Sequence, residues 1–278
     1  MKSSGEKKRL DQILGDLHPG LSRSRIQAEI MAGNVLVDGL VIDKPGYKVP
    51  PGANLELKKK ENPYVSRGGI KLAGALGYFN LEIKGLVVLD VGASTGGFTD
   101  CLLQKGAGLV YALDVGYGQL DYKLRSDPRV VIMERCNIRD LKPGELAPPP
   151  GFSVVDVSFI SLEKIFPVLK SINIPEVLAL VKPQFEVGKE EAGRGRGVIK
   201  DQDLHRSVLK KVAGYALNNS YVTNGVTYSG IRGPKGNIEY FVYLKLNPEG
   251  TGQNNDKLDQ EIDSAVRAAN QKFFPAGF

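Results

Sequence analysis

The 278-residue chain reads as a doubly wound α/β domain preceded by a small α+β unit. The stretch LVVLDVGASTGGFTDCLL, residues 86–103, passes from an apolar strand through a glycine-rich turn into a helix-compatible pattern. A second apolar run, LVYALD, residues 109–114, again ends on a carboxylate, as the next strand of such a sheet does. Ahead of both, the charged segment KKKENP, residues 58–63, ends in a helix-breaking proline and marks a boundary. The predicted division is an N-terminal unit over 1–60, with 1–7 polar and disordered, and a linker over 61–64. The main domain follows over 65–248, then a polar linker and C-terminal helix over 249–278.

Composition narrows the function classes. A net charge of +6 and 42% hydrophobic residues describe a basic chain with a real core, which suits an anionic partner. Cys101 and Cys136 each fall inside an α/β pattern, so a disulfide framework is not expected. No apolar run approaches the roughly 20 residues of a membrane span, and no signal-peptide core opens the chain. A soluble cytoplasmic protein is therefore expected. His18 and His205 lie far apart without companion ligands or a nucleophile motif, which argues against a zinc cluster or a Ser-His-Asp triad. No metal is expected, and proton chemistry falls to Lys, Asp, Glu or Tyr.

In the N-terminal unit, RLDQILGDL places Leu10, Ile13, Leu14 and Leu17 on one helical stripe, closed by His18-Pro19-Gly20. Ser22 is a good N-cap for a second helix that ends at Gly33-Asn34. Val35 to Gly39 reads as a strand and tight turn, and Asn54 to Leu57 as a short alternating strand. Arg23 and Arg25 occupy the first turn of the second helix, where cations oppose the helix dipole by a few tenths of a kcal/mol each. A solvated face accounts for them; so does an external phosphate, with Lys8, Arg9 and Lys44 extending the patch. RLDQIL, SRSRIQAEIMAGNVLVDG and the strand near Leu55 resemble the S-four-type RNA-binding domain over residues 8–58. That resemblance implies two helices presenting basic residues to structured RNA.

The main domain opens with a helix from Tyr64 to about Phe79. Gly68-Gly69 weakens that helix and so needs a reason, such as close approach of substrate or cofactor. In the following turn, Gly92, Ala93, Ser94, Thr95, Gly96, Gly97 and Phe98 form G-x-x-x-G-G. This is neither the dinucleotide fingerprint nor the phosphate loop. Asp114, a little over twenty residues past the first glycine, suits a ribose diol. A nucleoside ligand without a pyrophosphate fits best, and S-adenosylmethionine is the candidate, with Asn137 and Asp156 at the pocket mouth. Further strands are expected at Arg129 to Met133, Phe152 to Val157, Val177 to Val181, Tyr221 to Tyr228 and Ile238 to Leu246. A helix spans Asp203 to Asn218, and a last one carries Leu258, Ile262, Val266, Ala269 and Phe273 at helical spacing. The glycine-rich basic stretch 187–200 is either a surface loop or a mobile substrate loop beside the strand ends.

Asp156 and Lys182 fall at or near the ends of neighbouring strands, where ligands bind in such sheets. Lys71 opens the preceding helix and Glu239 the last strand. Singly, each suits a structural salt bridge. Together LDVGASTGGFTDCLL, VVDVSF, VKPQFE, GNIEYF and SRGGIKL resemble the FtsJ-like ribose 2′-O-methyltransferases, a class I methyltransferase sheet with helices on both faces. With the N-terminal segment, residues 8–246 are similar to the TlyA family, also labelled hemolysin A. The resemblance implies a catalytic tetrad of Lys71, Asp156, Lys182 and Glu239, and S-adenosylmethionine as cofactor. It also implies methyl transfer to structured RNA, specifically ribosomal RNA, with Arg67, Arg194 and Arg196 among the RNA-facing residues. Lysine takes a proton only as the free amine, so whether Lys182 deprotonates the hydroxyl or orients it stays open. Two rivals remain: an RNA-binding protein whose transferase fold is silent, and a membrane-active hemolysin, which no amphipathic cationic helix or apolar span supports.

Overall fold

The computed structural model describes residues 8–21, 23–31, 34–57, 62–187, 198–247, 249 and 252–274. Residues 1–7, the Ser22 cap, Gly33, the 58–61 stretch and the 188–197 loop with Arg194 and Arg196 lie outside the described residues, as does the Arg25 side chain. The chain divides into two compact units, Met1–Glu61 and Asn62–Phe278.

In the first unit, α1 (Leu10–Leu17) and α2 (Arg23–Met31) pack on a three-stranded antiparallel sheet ordered β2-β1-β3. Its strands are β1 (Val35–Val37), β2 (Leu40–Val41) and β3 (Leu55–Leu57). Leu10 and Leu14 from the α1 stripe meet Ile26, Ile30, Val35, Val37 and Val49 in a single small core. Fully burying such a side chain contributes roughly 1.5–3 kcal/mol, so a core of this size leaves little margin.

The second unit is built on seven strands: β4 (Val87–Val91), β5 (Leu109–Leu113), β6 (Val130–Met133), β7 (Phe152–Val155), β8 (Glu176–Val181), β9 (Tyr221–Tyr228) and β10 (Tyr240–Leu246). Their order is β6-β5-β4-β7-β8-β10-β9, with β4 to β8 parallel and β10 antiparallel to both neighbours. The chain runs outward from β4 to β6 and returns at β7. The crevice between β4 and β7 is therefore the topological switch point at which ligands bind in open α/β sheets.

The central strands are mostly apolar because both faces are covered. One face packs Leu89, Val91, Val155 and Val181 against the helix Gln202–Leu217 and the C-terminal helix Asn255–Phe273. The other packs Val88, Val110 and Leu180 against Leu72 and Leu76 of α3 (Arg67–Tyr78) and Phe98 and Leu102 of α4 (Gly97–Gln104). Gly68-Gly69 finds a packing reason in this layer. A Cβ on Gly69 would stand 2.2 Å from the Tyr64 ring, and one on Gly97 would stand 2.1 Å from Ser66 Oγ and 3.1 Å from the Gly68 Cα. Glycines on both helices let α3 and α4 approach closely. Short helices at Tyr122–Arg125 (α5), Phe166–Ser171 (α6) and Pro183–Glu186 (α7) complete the layers. Among the described residues no helix is long and apolar enough to cross a membrane.

Candidate active site

The glycine turn is shaped by backbone geometry before any side chain is considered. Gly92 leaves β4 at φ 87° with its N–H on the Leu113 carbonyl at 2.8 Å. A Cβ at Gly92 would stand 2.4 Å from the Asp156 carbonyl oxygen, so only glycine lets the turn lie against the end of β7. Gly96, at φ 94°, caps α4, and a Cβ there would enter the Leu124 side chain. Between them, Ser94 donates its N–H to Asp114 Oδ2 at 2.8 Å, and Gly116 donates to Oδ1 at 2.6 Å. Two backbone donors thus hold the Asp114 carboxylate in place beside the turn, with acceptor capacity left for a diol. Asn137 follows β6 on the same edge. Its Oδ1 caps the next turn by accepting from Arg139 N at 3.1 Å and Nε at 3.2 Å.

Asp90 is the single polar residue of β4. It is fully buried, and its Oδ2 accepts from Thr99 Oγ at 2.6 Å. Its Oδ1 has no hydrogen-bond partner among the described residues. Burial pushes this carboxyl up to about 7, the Thr99 hydrogen bond opposing and the Asp156 charge reinforcing the shift. An orphaned buried carboxylate oxygen at the start of the glycine turn suits a cationic ligand. The turn, Asp114 and Asp90 therefore fit a nucleoside that carries a positive charge. Among the described residues no cluster of three metal-ligating side chains occurs.

The four charged residues converge on one edge. Asp156 lies just past β7 and Lys182 just past β8, and their side chains pair at 2.5 Å between Nζ and Oδ1. Lys182 Nζ also donates to Ser158 Oγ at 3.0 Å. Tyr240 of β10 pairs with Val181, so Glu239, one residue before the strand rather than within it, falls opposite Lys182 in register. The Glu239 carboxylate reaches Lys71 Nζ of α3 at 2.5 Å, and both side chains are buried. One ion pair is sealed, while the other is partly open at the strand ends.

Three further residues flank these elements. Phe159, two residues past Val157 in a run that looks buried, is 89% exposed at φ 65° with its ring 4.8 Å from Phe185. Flat apolar faces of this kind are what unstacked bases pack on. His205, although it follows Asp201 and Asp203 at the start of its helix, is fully buried between Tyr240 Oη at 2.8 Å and the Ile199 carbonyl at 3.2 Å. Burial pushes its imidazole below the usual value, the Ile199 carbonyl opposing the shift. Arg67 is exposed and donates to the Arg232 carbonyl at 2.8 Å.

In the N-terminal unit Lys8 and Lys44 are exposed, and Arg23 is 74% exposed. Arg9 is already engaged, its guanidinium forked onto Asp11.

A doubly wound sheet with a glycine turn after its first strand, and lysine–carboxylate pairs on the same edge, defines a group-transfer domain of the methyltransferase class. The chain belongs to the FtsJ-like methyltransferase family, whose profile matches residues 64–246, and residues 8–55 match the S4 domain. It is 46% identical over 231 residues to the 16S/23S rRNA (cytidine-2′-O)-methyltransferase TlyA of Mycobacterium tuberculosis, covering 81% of this chain and 86% of that protein. It is 42% identical over 272 residues to YqxC of Bacillus subtilis, provisionally named an rRNA methyltransferase, covering 96% of each. A solved Streptococcus thermophilus structure with a provisional hemolysin name is similar at 39% identity and TM-score 0.75, covering 96% of this chain and 98% of that one.

Proposed function

We propose that the chain transfers a methyl group from S-adenosylmethionine to a ribose 2′-hydroxyl of ribosomal RNA. The observation that carries this reading is the half-open Asp156–Lys182 pair beside the sealed Lys71–Glu239 pair, on the edge where the glycine turn lies. Family membership and the names of the relatives support the RNA substrate.

S-adenosylmethionine supplies a methyl group already activated on a sulfonium. The turn from Gly92 to Phe98 would hold it, with Asp114 on the ribose diol and Asn137 and Asp156 near the mouth. What the protein must add is in-line placement of a weak nucleophile and an outlet for its proton. As an ammonium, Lys182 orients the hydroxyl oxygen by donating to it. As a free amine it takes the hydroxyl's proton, and the Asp156 carboxylate stabilises the ammonium that results. Glu239 holds Lys71 beside them.

The N-terminal unit acts as the RNA anchor, with Lys8, Arg9, Arg23, Arg25 and Lys44 on phosphates and Arg67, Arg194 and Arg196 serving the second unit. Phosphate contacts of this kind fix register and carry no sequence information. Lys182→Ala should reduce methyl incorporation into ribosomal RNA at least about 100-fold, the scale of a lost acid–base group. RNA and S-adenosylmethionine affinity should stay near wild type. A variant that keeps most of its kcat overturns the assignment of Lys182, and a wild-type chain that binds RNA without turnover establishes the silent RNA-binding reading.

A further inference from the structure

We propose that Asp11 is a positioning residue that sets the Arg9 and Arg23 guanidiniums as a preformed two-pronged phosphate site. The proposal rests on the RNA-anchoring reading of the N-terminal unit.

Asp11 lies on α1 and is 3% exposed. Its Oδ1 accepts from Arg9 Nε at 2.9 Å, and its Oδ2 accepts from Arg9 Nη2 at 2.9 Å and from Gln27 Nε2 on α2 at 3.2 Å. Arg23 Nη2, also from α2, stands 4.0 Å from the same Oδ2. One buried carboxylate therefore gathers two cations, one from the residue that precedes α1 and one from α2, and both of its oxygens are used in doing so. The fork occupies the Nε–Nη2 edge of Arg9. Its Nη1 lies over Gly46, where a Cβ would stand only 3.4 Å away. Both guanidiniums still meet solvent, with side chains 40% and 74% exposed.

A free arginine on a surface has many rotamers to surrender when it meets a phosphate. A guanidinium held in a fixed attitude has surrendered them already, so less affinity is lost on binding. Two cations around one acid also leave a net positive charge facing outward.

The proposal has a sign that ordinary electrostatics does not share. An acid that merely sits in an RNA-binding face repels phosphate, so its removal should tighten binding. If Asp11 positions the arginines, Asp11→Asn should weaken the affinity of the full chain for purified bacterial ribosomal RNA about tenfold. The log–log salt slope should also become shallower by about 1–2, the value of one or two lost phosphate contacts. Arg9→Lys keeps the charge and loses the fork, and it should weaken binding in the same direction. S-adenosylmethionine affinity, measured on the same samples, should not move.

Tighter or unchanged RNA binding by Asp11→Asn overturns the proposal. So does an Arg9→Lys chain that binds as the wild type does, since geometry would then not matter and any loss in Asp11→Asn would reflect damage to the fold. Arg23→Glu separates the premise from the inference: if its RNA affinity equals wild type, the RNA-anchoring reading of this face fails, whatever Asp11 does.

Discussion

Asp11 in the N-terminal unit and Asp90 in the larger one are both aspartates with almost no exposed surface, yet they sit on opposite sides of the usual carboxylate range. The Arg9 fork holds Asp11 down at about 2, against the burial that would raise it. Asp90 has one hydroxyl donor and an orphan oxygen, and burial lifts it to about 7. Burial alone therefore does not decide what a carboxylate does. A carboxylate met by guanidiniums becomes part of the scaffold, whereas one left half-satisfied keeps an acceptor oxygen unspent.

The comparison is sharpest at Asp90. A folded-state value above the unfolded one means that Asp90 favours the fold at low pH, and this contribution is lost as pH rises from about 4 through about 7. Asp90→Asn should therefore raise stability at pH 8 by roughly 1–3 kcal/mol, fading to nothing in acid. The same change should cost about tenfold or more in S-adenosylmethionine affinity, the scale of a lost charge-assisted contact. Wild-type affinity should rise with pH through neutrality and the variant's should not. Calorimetric titration across that range, with thermal melts alongside, checks both arms. A destabilised variant with intact affinity would break the distinction between the two aspartates.

A smaller effect is expected at Asp11, with the opposite sign. Its depressed value stabilises the N-terminal unit above about pH 4, and that contribution is lost as pH falls towards about 2. The loss should be on the order of 1–2 kcal/mol, and with so small a core this unit should melt in acid before the sheet does. Amide signals of residues 10–57 followed by NMR during acid titration report it, and Asp11→Asn should flatten the dependence. The smallest effect belongs to Asp259, which is half exposed and pairs with Lys210 at 2.8 Å. Asp259→Asn should shift stability by no more than about 0.5 kcal/mol. A larger shift in the melting curve would mean that pairing matters here even without burial.

The strands, their order of appearance and the glycine turn were legible because they rest on periodicity and on backbone freedom, both of which sequence carries locally. The pairing of Lys71 with Glu239 and of Asp156 with Lys182 was legible only as convergence on one edge, not as two separate pairs. What could not be read depends on who lies next to whom. Nothing in RLDQIL says that Asp11 turns inward to meet Arg9 and Gln27. Nothing in SFISLEK says that Phe159 faces solvent while Leu162 is buried, because both fit the same apolar run. Gly68-Gly69 showed that glycine was needed without showing for what, since a helix neighbour and a ligand make the same demand. His205 looked polar by its neighbours and is buried by its packing on Tyr240.

The position of β10 bears on the order in which the molecule comes into being. Among the described residues it is the last strand in sequence, yet it lies between β8 and β9, and Lys71 meets Glu239 across 168 residues of sequence. During synthesis α3 and the parallel strands emerge long before the carboxylate that neutralises Lys71. Until then that lysine has no Glu239 to be buried with, and the sheet edge lacks one wall. Contacts of such long sequence separation form slowly because the loop must close before they repay it. A nascent or truncated chain can therefore have its glycine turn in place while Lys71 still lacks its partner. Completion of this edge therefore waits until synthesis has passed Glu239.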